Sequence, residues 1–117
     1  MVFQTDYTWL AKPNETTKKV DDWGTAIPLD ITIVLNSDKE SITFNFPTKR
    51  VYKILSKQEK KSGIDLGVKW HSFSFNCIDN EGLESIVTFK MYDSGPHLLF
   101  VVYDNVVYKF QMKKIEF

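Results

Sequence analysis

Cysteine is nearly absent from this sequence, and its scarcity removes several kinds of chemistry at once. Cys77 is the single cysteine among 117 residues, so the chain can form neither an intramolecular disulfide nor a cysteine-rich zinc site. Because Cys77 lies in an alternating apolar segment without a neighbouring lysine or arginine, we predict a small core residue rather than a reactive thiol. The chain also lacks a run of about 18 apolar residues, the length that a membrane-spanning helix requires.

An excess of either charge is absent as well. Fifteen lysines and arginines balance fifteen aspartates and glutamates, whereas nucleic-acid-binding domains usually carry a clear basic excess. We therefore expect no nucleic-acid partner. The short basic cluster of Lys57, Lys60 and Lys61 is interpreted as part of a solvated loop.

The two histidines, His71 and His97, give little support to acid–base or metal chemistry. His71 and Cys77 share a strand face, but the extended chain between them spans about 20 Å, and a nucleophile must lie about 3 Å from its base. His97 follows a Gly-Pro pair at a strand entrance, opposite Met112, and lacks metal-ligand spacing to His71.

Other catalytic or ligand-binding motifs are also missing. Residues 79–82 resemble part of a calcium loop but lack its last carboxylate ligand, and turn chemistry explains them. No phosphate-binding loop or nucleophile elbow occurs. The sequence therefore predicts no catalytic residue, no cofactor and no metal ligand, and it favours a non-enzyme without deciding the question.

Apolar and aromatic side chains, in contrast, are plentiful. Hydrophobic residues make up 43% of the chain and aromatic residues 15%, which is enough for a sizeable core in a domain of this length. We predict a single β-domain over residues 1–117, in which residues 1–22 form a partly ordered N-terminal strand and loop.

Period-two alternation of apolar residues is the main structural signal, and it predicts β-strands. A first strand places Phe3, Thr5, Tyr7 and Trp9 on one face. The next three strands are residues 27–35, 42–46 and 51–55, and the loops are residues 12–22, 36–39 and 57–67. Pro28 should lie at a strand start or edge, because it has no backbone donor.

The last hairpin has a register that can be derived. Residues 104–105, Asp-Asn, favour the left-handed conformations of a tight turn. Closing that turn pairs residue 103 with 106, residue 101 with 108, and residue 99 with 110. These six apolar residues then share one face, with Leu98, Phe100 and Val102 on the other.

The preceding hairpin offers two registers, of which one sorts the residues by polarity. A three-residue loop at residues 80–82, with Gly82 in the left-handed position, sets Phe75 opposite Val87 and Phe73 opposite Phe89. It also sets residue 71 opposite residue 91 and collects the polar residues on the other face. A slip by one residue would mix the faces, so we predict the three-residue loop.

Together these strands predict an all-β fold. Seven or eight short strands joined by hairpin-length turns indicate an antiparallel meander that forms a barrel or a sandwich. An edge strand at either terminus could pair with a neighbour, so the protein is expected to be a monomer or a dimer.

The aromatic residues supply the candidate binding surface. Tryptophan and tyrosine near strand ends commonly anchor partners, sugars or bases, and Trp70 has the parity of the polar face of its strand. The candidate residues are Trp9, Trp23, Trp70, Leu98, Phe100 and Val102.

Two hypotheses of function follow. The first is a non-enzymatic binding or interaction module whose partner, a protein or a small molecule, contacts an exposed apolar patch. The alternative is a small-ligand carrier or unusual enzyme with a site inside a lipocalin-like barrel, where His71 or a carboxylate lies beside apolar walls. The lack of a catalytic constellation favours the first hypothesis.

Several short segments have counterparts in known proteins. They are Trp23, Ile-Thr-Phe at residues 42–44, Tyr-Lys-Ile at residues 52–54, Cys-Ile-Asp-Asn-Glu-Gly-Leu at residues 77–83, and the hairpin of residues 99–108. In these segments, spread over residues 23–113, the chain resembles a group of small uncharacterised bacterial proteins that are usually exported. The resemblance implies an exported β-domain of the periplasm or cell envelope, its signal peptide absent from this sequence, and no particular activity. A cytoplasmic location is the alternative.

Overall fold

The computed structural model describes residues 1–36 and 40–116, except for the side chain of residue 116. The described residues form ten β-strands: β1 (Val2–Ala11), β2 (Ile27–Pro28), β3 (Thr32–Asn36), β4 (Ser41–Phe44), β5 (Arg50–Lys57), β6 (Lys61–Asp65), β7 (Val68–Asp79), β8 (Glu84–Tyr92), β9 (His97–Val102) and β10 (Val107–Glu116). The described residues contain no helix that is long and apolar enough to cross a membrane. The turn predicted at residues 36–39 lies, from residue 37 to residue 39, outside the described residues.

The strands form one closed antiparallel barrel with eight strand positions. The eight positions follow one another around the barrel in chain order, and β10 returns to pair with β1. Two positions are each shared by two short strands: β2 and β3 both pair with β1, and β5 and β6 both pair with β7. The predicted all-β meander is confirmed, and its form is the barrel.

The pairing of β1 with β10 closes the barrel, so neither terminal strand is the free edge that the sequence predicted. β1 and β10 pair along most of their length, for example Thr5 with Met112 and Trp9 with Lys109. The expectation that a terminal strand is free to pair with a neighbour is therefore wrong, because each terminal strand already pairs with the other. The oligomeric state itself stays a prediction.

A β-bulge in β1 changes which of its side chains point into the barrel, so part of the prediction for this strand is wrong. Phe3 and Thr5 point into the barrel as predicted and are 0% and 2% exposed. The register against β10 then shifts between Thr5 and Tyr7, and a shift of one residue exchanges the two faces. Tyr7 and Trp9 consequently do not share the buried face of Phe3.

The strand predicted at residues 27–35 is interrupted. Its ends survive as β2 and β3, while residues 29–31 lie outside both strands. Pro28 belongs to β2, which pairs with β1 on one side and with no other described strand, so the predicted edge position is confirmed.

The prediction of a loop over residues 57–67 is wrong. β6 occupies Lys61–Asp65 and forms a tight hairpin with β7, in which Asp65 is opposite Val68. Polar residues and two glycines indicated a loop, but Gly63 is compatible with a strand here because it faces Trp70 across the hairpin.

The registers of both C-terminal hairpins are confirmed. Phe75 is opposite Val87, and the residue pairs 73–89 and 71–91 follow from it. Gly82 has φ +85° in the turn, the left-handed value that the three-residue loop requires. In the last hairpin the Tyr103 N–H donates to the Val106 carbonyl at 2.9 Å, and the residue pairs 101–108 and 99–110 follow. The left-handed conformation predicted for Asp104 and Asn105 is wrong, because neither residue has a positive φ.

Candidate functional site

Side chains fill the interior of the barrel. Phe3, Ile33, Val87, Phe89 and Leu99 are each 0% exposed. A cavity that admitted water would leave part of its lining exposed to that water, so no such cavity borders these residues. The rings of Phe3 and Phe89 lie 5.5 Å apart, centroid to centroid, in this packed centre. Candidate sites must therefore be sought on the outside of the barrel.

One outer cluster gathers three aromatic rings around Lys109, and we call it the Lys109 cluster. The Lys109 Nζ lies 4.4 Å from the ring centroids of both Trp9 and Trp23. Trp9 and Phe100 are opposite Lys109 on the strands to either side, while Trp23 comes from the segment between β1 and β2. The rings of Trp23 and Phe100 are 6.1 Å apart.

The Lys109 ammonium makes no ion pair with any described residue. Burial between the two indoles lowers the pKa of Lys109, because the ammonium loses hydration without gaining a counter-ion. Attraction to the indole faces offsets part of that loss. The lysine already occupies the space where two indoles could hold an external cation, so the cluster serves to attach the segment carrying Trp23 to the barrel.

A second outer cluster surrounds Lys90, and we call it the Lys90 cluster. The Lys90 Nζ lies 4.4 Å from the ring centroid of Trp70 and 5.5 Å from that of Tyr92. It also donates a 2.8 Å hydrogen bond to Asp65 Oδ2, and the Tyr92 hydroxyl donates to the same oxygen at 2.9 Å. These contacts join β6, β7 and β8 on the outer face.

The ionisation of the Lys90 cluster differs from that of the Lys109 cluster. Burial by itself would lower the pKa of Lys90, but hydrogen bonding to Asp65 and Tyr92 outweighs it, and the pKa is raised. The pKa of Asp65 is lowered, first by the hydrogen bond from Lys90 and next by that from Tyr92. The ion pair therefore persists through the neutral pH range.

Gly63 completes the packing of Trp70. A Cβ atom at residue 63 would lie 2.6 Å from Cζ2 of the Trp70 indole, closer than two carbon atoms can approach without displacement. The absence of a side chain lets the indole cover the strand backbone directly. Gly63 and the Lys90 cluster together hold the β6–β7 hairpin in one conformation.

An open apolar cleft lies beside this hairpin. Its volume is about 700 Å³, and its lining comes from the β6–β7 hairpin with its turn, the end of β8, the turn after β8 and β9. We call it the hairpin cleft, and define it by Ile64, Leu66, Val68, Tyr92, Pro96 and Leu98.

Leu66 stands out among these lining residues. It is fully exposed and has φ +48°, followed by Gly67 at φ +80°. Two consecutive left-handed residues form the turn that hairpins prefer, and Asn-Gly is its favoured sequence. A leucine there costs about 1 kcal/mol in backbone strain and exposes an apolar side chain, so local stability does not explain its presence.

A third polar cluster forms at the end of β7. Asp79 Oδ1 accepts 2.9 Å hydrogen bonds from the N–H groups of Glu81 and Leu83, and Oδ2 accepts one from the Tyr103 hydroxyl at 2.8 Å. The hydroxyl oxygens of Tyr103 and Tyr52 are 2.9 Å apart. This network joins the turn after β7 to β5 and to the turn between β9 and β10.

The pKa directions in this network indicate a structural role. Burial tends to raise the pKa of Asp79, but hydrogen bonds from Leu83, Tyr103 and Glu81 outweigh it and the pKa is lowered. Burial, with the neighbouring Tyr52 and Asp79, raises the pKa of Tyr103. The carboxylate therefore stays charged and the phenol stays protonated near neutral pH, which suits a fixed hydrogen bond rather than proton transfer.

The other titratable candidates take no part in the side-chain hydrogen bonds of these clusters, although the His97 Nδ1 accepts a 3.1 Å hydrogen bond from the main-chain N–H of Tyr92. Cys77 is 1% exposed, and burial raises its pKa to about 11, as a core thiol requires. His71 has the inward parity that the sequence predicts, but it is exposed. His97 is opposite Met112, as predicted, and its pKa is lowered by burial and then by the charges of Lys114 and His71.

The six predicted surface residues divide among four places on the outside of the barrel. Trp9, Trp23 and Phe100 meet in the Lys109 cluster, and Trp70 lies under Lys90. Leu98 lines the hairpin cleft. Val102 lines a separate cleft of about 380 Å³ that also includes Leu55 and Ile86.

No family model, curated protein or solved structure matches this chain. The resemblance to small exported bacterial proteins therefore stays a prediction.

The hairpin cleft and the two lysine positions were missed by the sequence analysis. Leu66 gave no turn signal because leucine is uncommon at φ > 0. Lys109 interrupts an otherwise apolar pair of strands, a signal that could have indicated a special environment. Asp79 continues the inward parity of Phe75 and Cys77, and that parity could have separated it from the turn residues that follow.

Proposed function

We propose that this protein is a non-enzymatic binding module that holds its partner on the outside of the barrel, in the hairpin cleft. The filled interior supports this proposal, because a ligand inside the barrel would have to displace core side chains such as Phe89 and Leu99. The alternative of an interior carrier or enzyme site has no cavity beside those residues to support it.

Leu66 is the observation that carries the proposal. Its exposure and its left-handed backbone both oppose folding stability, and residues that break local rules in this way are concentrated at functional sites. Insertion of the leucine into a partner would bury the apolar side chain and recover about 1.5–3 kcal/mol.

Rigidity of the hairpin adds to this argument. Gly63 packs under Trp70, and Asp65 is tied to Lys90, so the apolar tip is held in place before a partner arrives. A binding surface that is already ordered loses less conformational entropy on association. The Lys90 cluster, in this proposal, positions the binding residues without contacting the partner.

Leu66→Asn tests the proposal, because it separates binding from folding. Asparagine suits the left-handed turn, so the free energy of unfolding in urea should rise by about 0.5–1 kcal/mol. Random linear peptides displayed on phage and selected on the wild-type protein should bind Leu66→Asn at least about tenfold more weakly.

Leu83→Asn is the matched control. Leu83 is 54% exposed in the turn after β7, away from the hairpin cleft, and its replacement should leave peptide binding unchanged. Selection that yields no peptides, or peptides that bind wild type and Leu66→Asn equally, would contradict the proposal.

A further inference from the structure

The longest unpaired sheet edge among residues 1–36 and 40–116 runs along β5 and β6. β4 pairs with β5 only as far as Lys53, and the Ile54 N–H makes one further bond to the Glu40 carbonyl. Beyond that point β5 and then β6 pair with β7 on one side, and no described strand lies on the other.

Backbone directions show which groups this edge presents. The Ser74 carbonyl accepts from the Gln58 N–H on the β5–β6 side, whereas the Lys69 carbonyl accepts from the Asp93 N–H on the β8 side. Successive residues of a strand turn their main-chain groups to opposite sides. Residues 68, 70 and 72 of β7 therefore turn theirs toward β6, and the β6 residues opposite them turn theirs toward β7. The N–H and C=O groups of Ser62 and Ile64 therefore face the open edge.

The edge is also basic. Lys57, Lys60 and Lys61 on the edge, and Lys53 just before it, are exposed and make no ion pair with any described residue. The acidic residues between residues 53 and 65 are Glu59 and Asp65, and Asp65 is already paired with Lys90. Lysines on an edge discourage pairing with another copy of the same edge, because like charges would meet. The same charges attract a strand of opposite sign.

We propose that the β5–β6 edge binds an extended acidic segment of a partner protein by adding it to the sheet as a further strand. This rests on the proposed binding function and names the partner's chemistry. Main-chain hydrogen bonds to Ser62 and Ile64 fix the segment, and the lysines bind its carboxylates. Ile64 belongs both to the edge and to the hairpin cleft, and Leu55, 53% exposed, offers a second apolar contact.

The experiment uses a fluorescein-labelled peptide of alternating glutamate and valine, and fluorescence anisotropy as the readout. A peptide with lysine in place of each glutamate is the matched probe. The acidic peptide should bind at least about tenfold more tightly than the basic one, and its affinity should fall as salt rises from about 50 to about 500 mM. Equal binding of the two peptides would overturn the proposal.

Ser62→Pro tests the main-chain contact. Proline removes the N–H that faces the open edge but not one that bonds to β7, a position that edge strands tolerate. Binding of the acidic peptide should fall at least about tenfold, while Ser62→Ala binds like wild type and both variants keep the wild-type circular dichroism spectrum. Unchanged binding to folded Ser62→Pro would overturn strand addition.

Two further results separate this proposal from the one on which it rests. Phage-selected peptides that depend on Leu66 but bind Ser62→Pro normally would overturn strand addition and leave the binding module standing. Sedimentation velocity that shows a concentration-dependent dimer, abolished by Ser62→Pro, would assign the edge to a second copy and overturn the acidic partner.

Discussion

Two lysines on the outer face of this barrel have nearly the same aromatic contact and opposite electrostatic environments. The Nζ atoms of Lys90 and Lys109 each lie 4.4 Å from an indole centroid. The Lys90 Nζ also lies 2.8 Å from the Asp65 carboxylate. The Lys109 Nζ contacts a second indole, that of Trp23, in place of a carboxylate. The pKa is raised at Lys90 and lowered at Lys109.

The difference shows what an aromatic ring does for a buried ammonium. An indole face attracts a cation but does not replace the hydration lost on burial, so the protonated form of Lys109 is disfavoured. A carboxylate replaces that hydration and supplies an opposite charge. The Lys109 cluster therefore acts chiefly through packing, and the Lys90 cluster through packing and charge together.

The largest expected effect comes from Gly63→Val, which attacks the packing of the Lys90 cluster. The added side chain would collide with the Trp70 indole, and we expect a loss of about 2–3 kcal/mol in the free energy of unfolding, measured in urea. Ser62→Val, one residue away on the opposite face of the strand, is the control and should change stability by less than about 0.5 kcal/mol. Equal losses in both variants would show that Trp70 does not depend on Gly63.

A smaller but direct test of the comparison is the titration of the two lysines by NMR of their side-chain carbons. Lys90 should titrate above the ordinary lysine pKa and Lys109 below it. Trp23→Ala should raise the pKa of Lys109 by restoring its hydration, and Asp65→Asn should lower that of Lys90. If both lysines titrate together in the wild type, the two clusters do not differ as described.

The smallest expected effect is a change in the free energy of unfolding at acid pH. The folded-state pKa of Asp65 lies below its ordinary value of 3.8, so its contribution is fully present above that value and is lost as the pH falls through the folded pKa. The stability difference between wild type and Asp65→Asn should therefore shrink as the pH falls from about 4 to about 2 in urea unfolding. A difference that grows over this range would reverse the sign assigned to Asp65.

Sequence reasoning succeeded where short-range chemistry decides the structure. Gly82 fixes the turn between β7 and β8, and the sorting of apolar from polar residues leaves one register for each of the last two hairpins. The bulge between Thr5 and Tyr7 could not be predicted in this way, because it depends on the pairing of β1 with β10.

The candidate sites depend on contacts between distant residues. The predicted register of the last hairpin places Phe100 opposite Lys109. Trp9 and Trp23 come from distant segments, so no local pattern indicates that they join this pair. Gly63 by itself indicates a loop, and only the position of Trp70 across the hairpin explains why it lies in a strand. Among the residues of the hairpin cleft, the sequence predicts Leu98 as a surface residue. It does not indicate Leu66, which lies in a segment interpreted as a loop.

The pairing of β1 with β10 also bears on how the chain folds as it is synthesised. β1 is the first strand of the barrel to be synthesised, yet β10, the strand that completes its pairing, is the last. Until β10 is made, one edge of β1 has no partner strand, although β3 can already pair with the other edge. The barrel can close only after β10 has been synthesised, so β1 is the strand that waits longest for its partner.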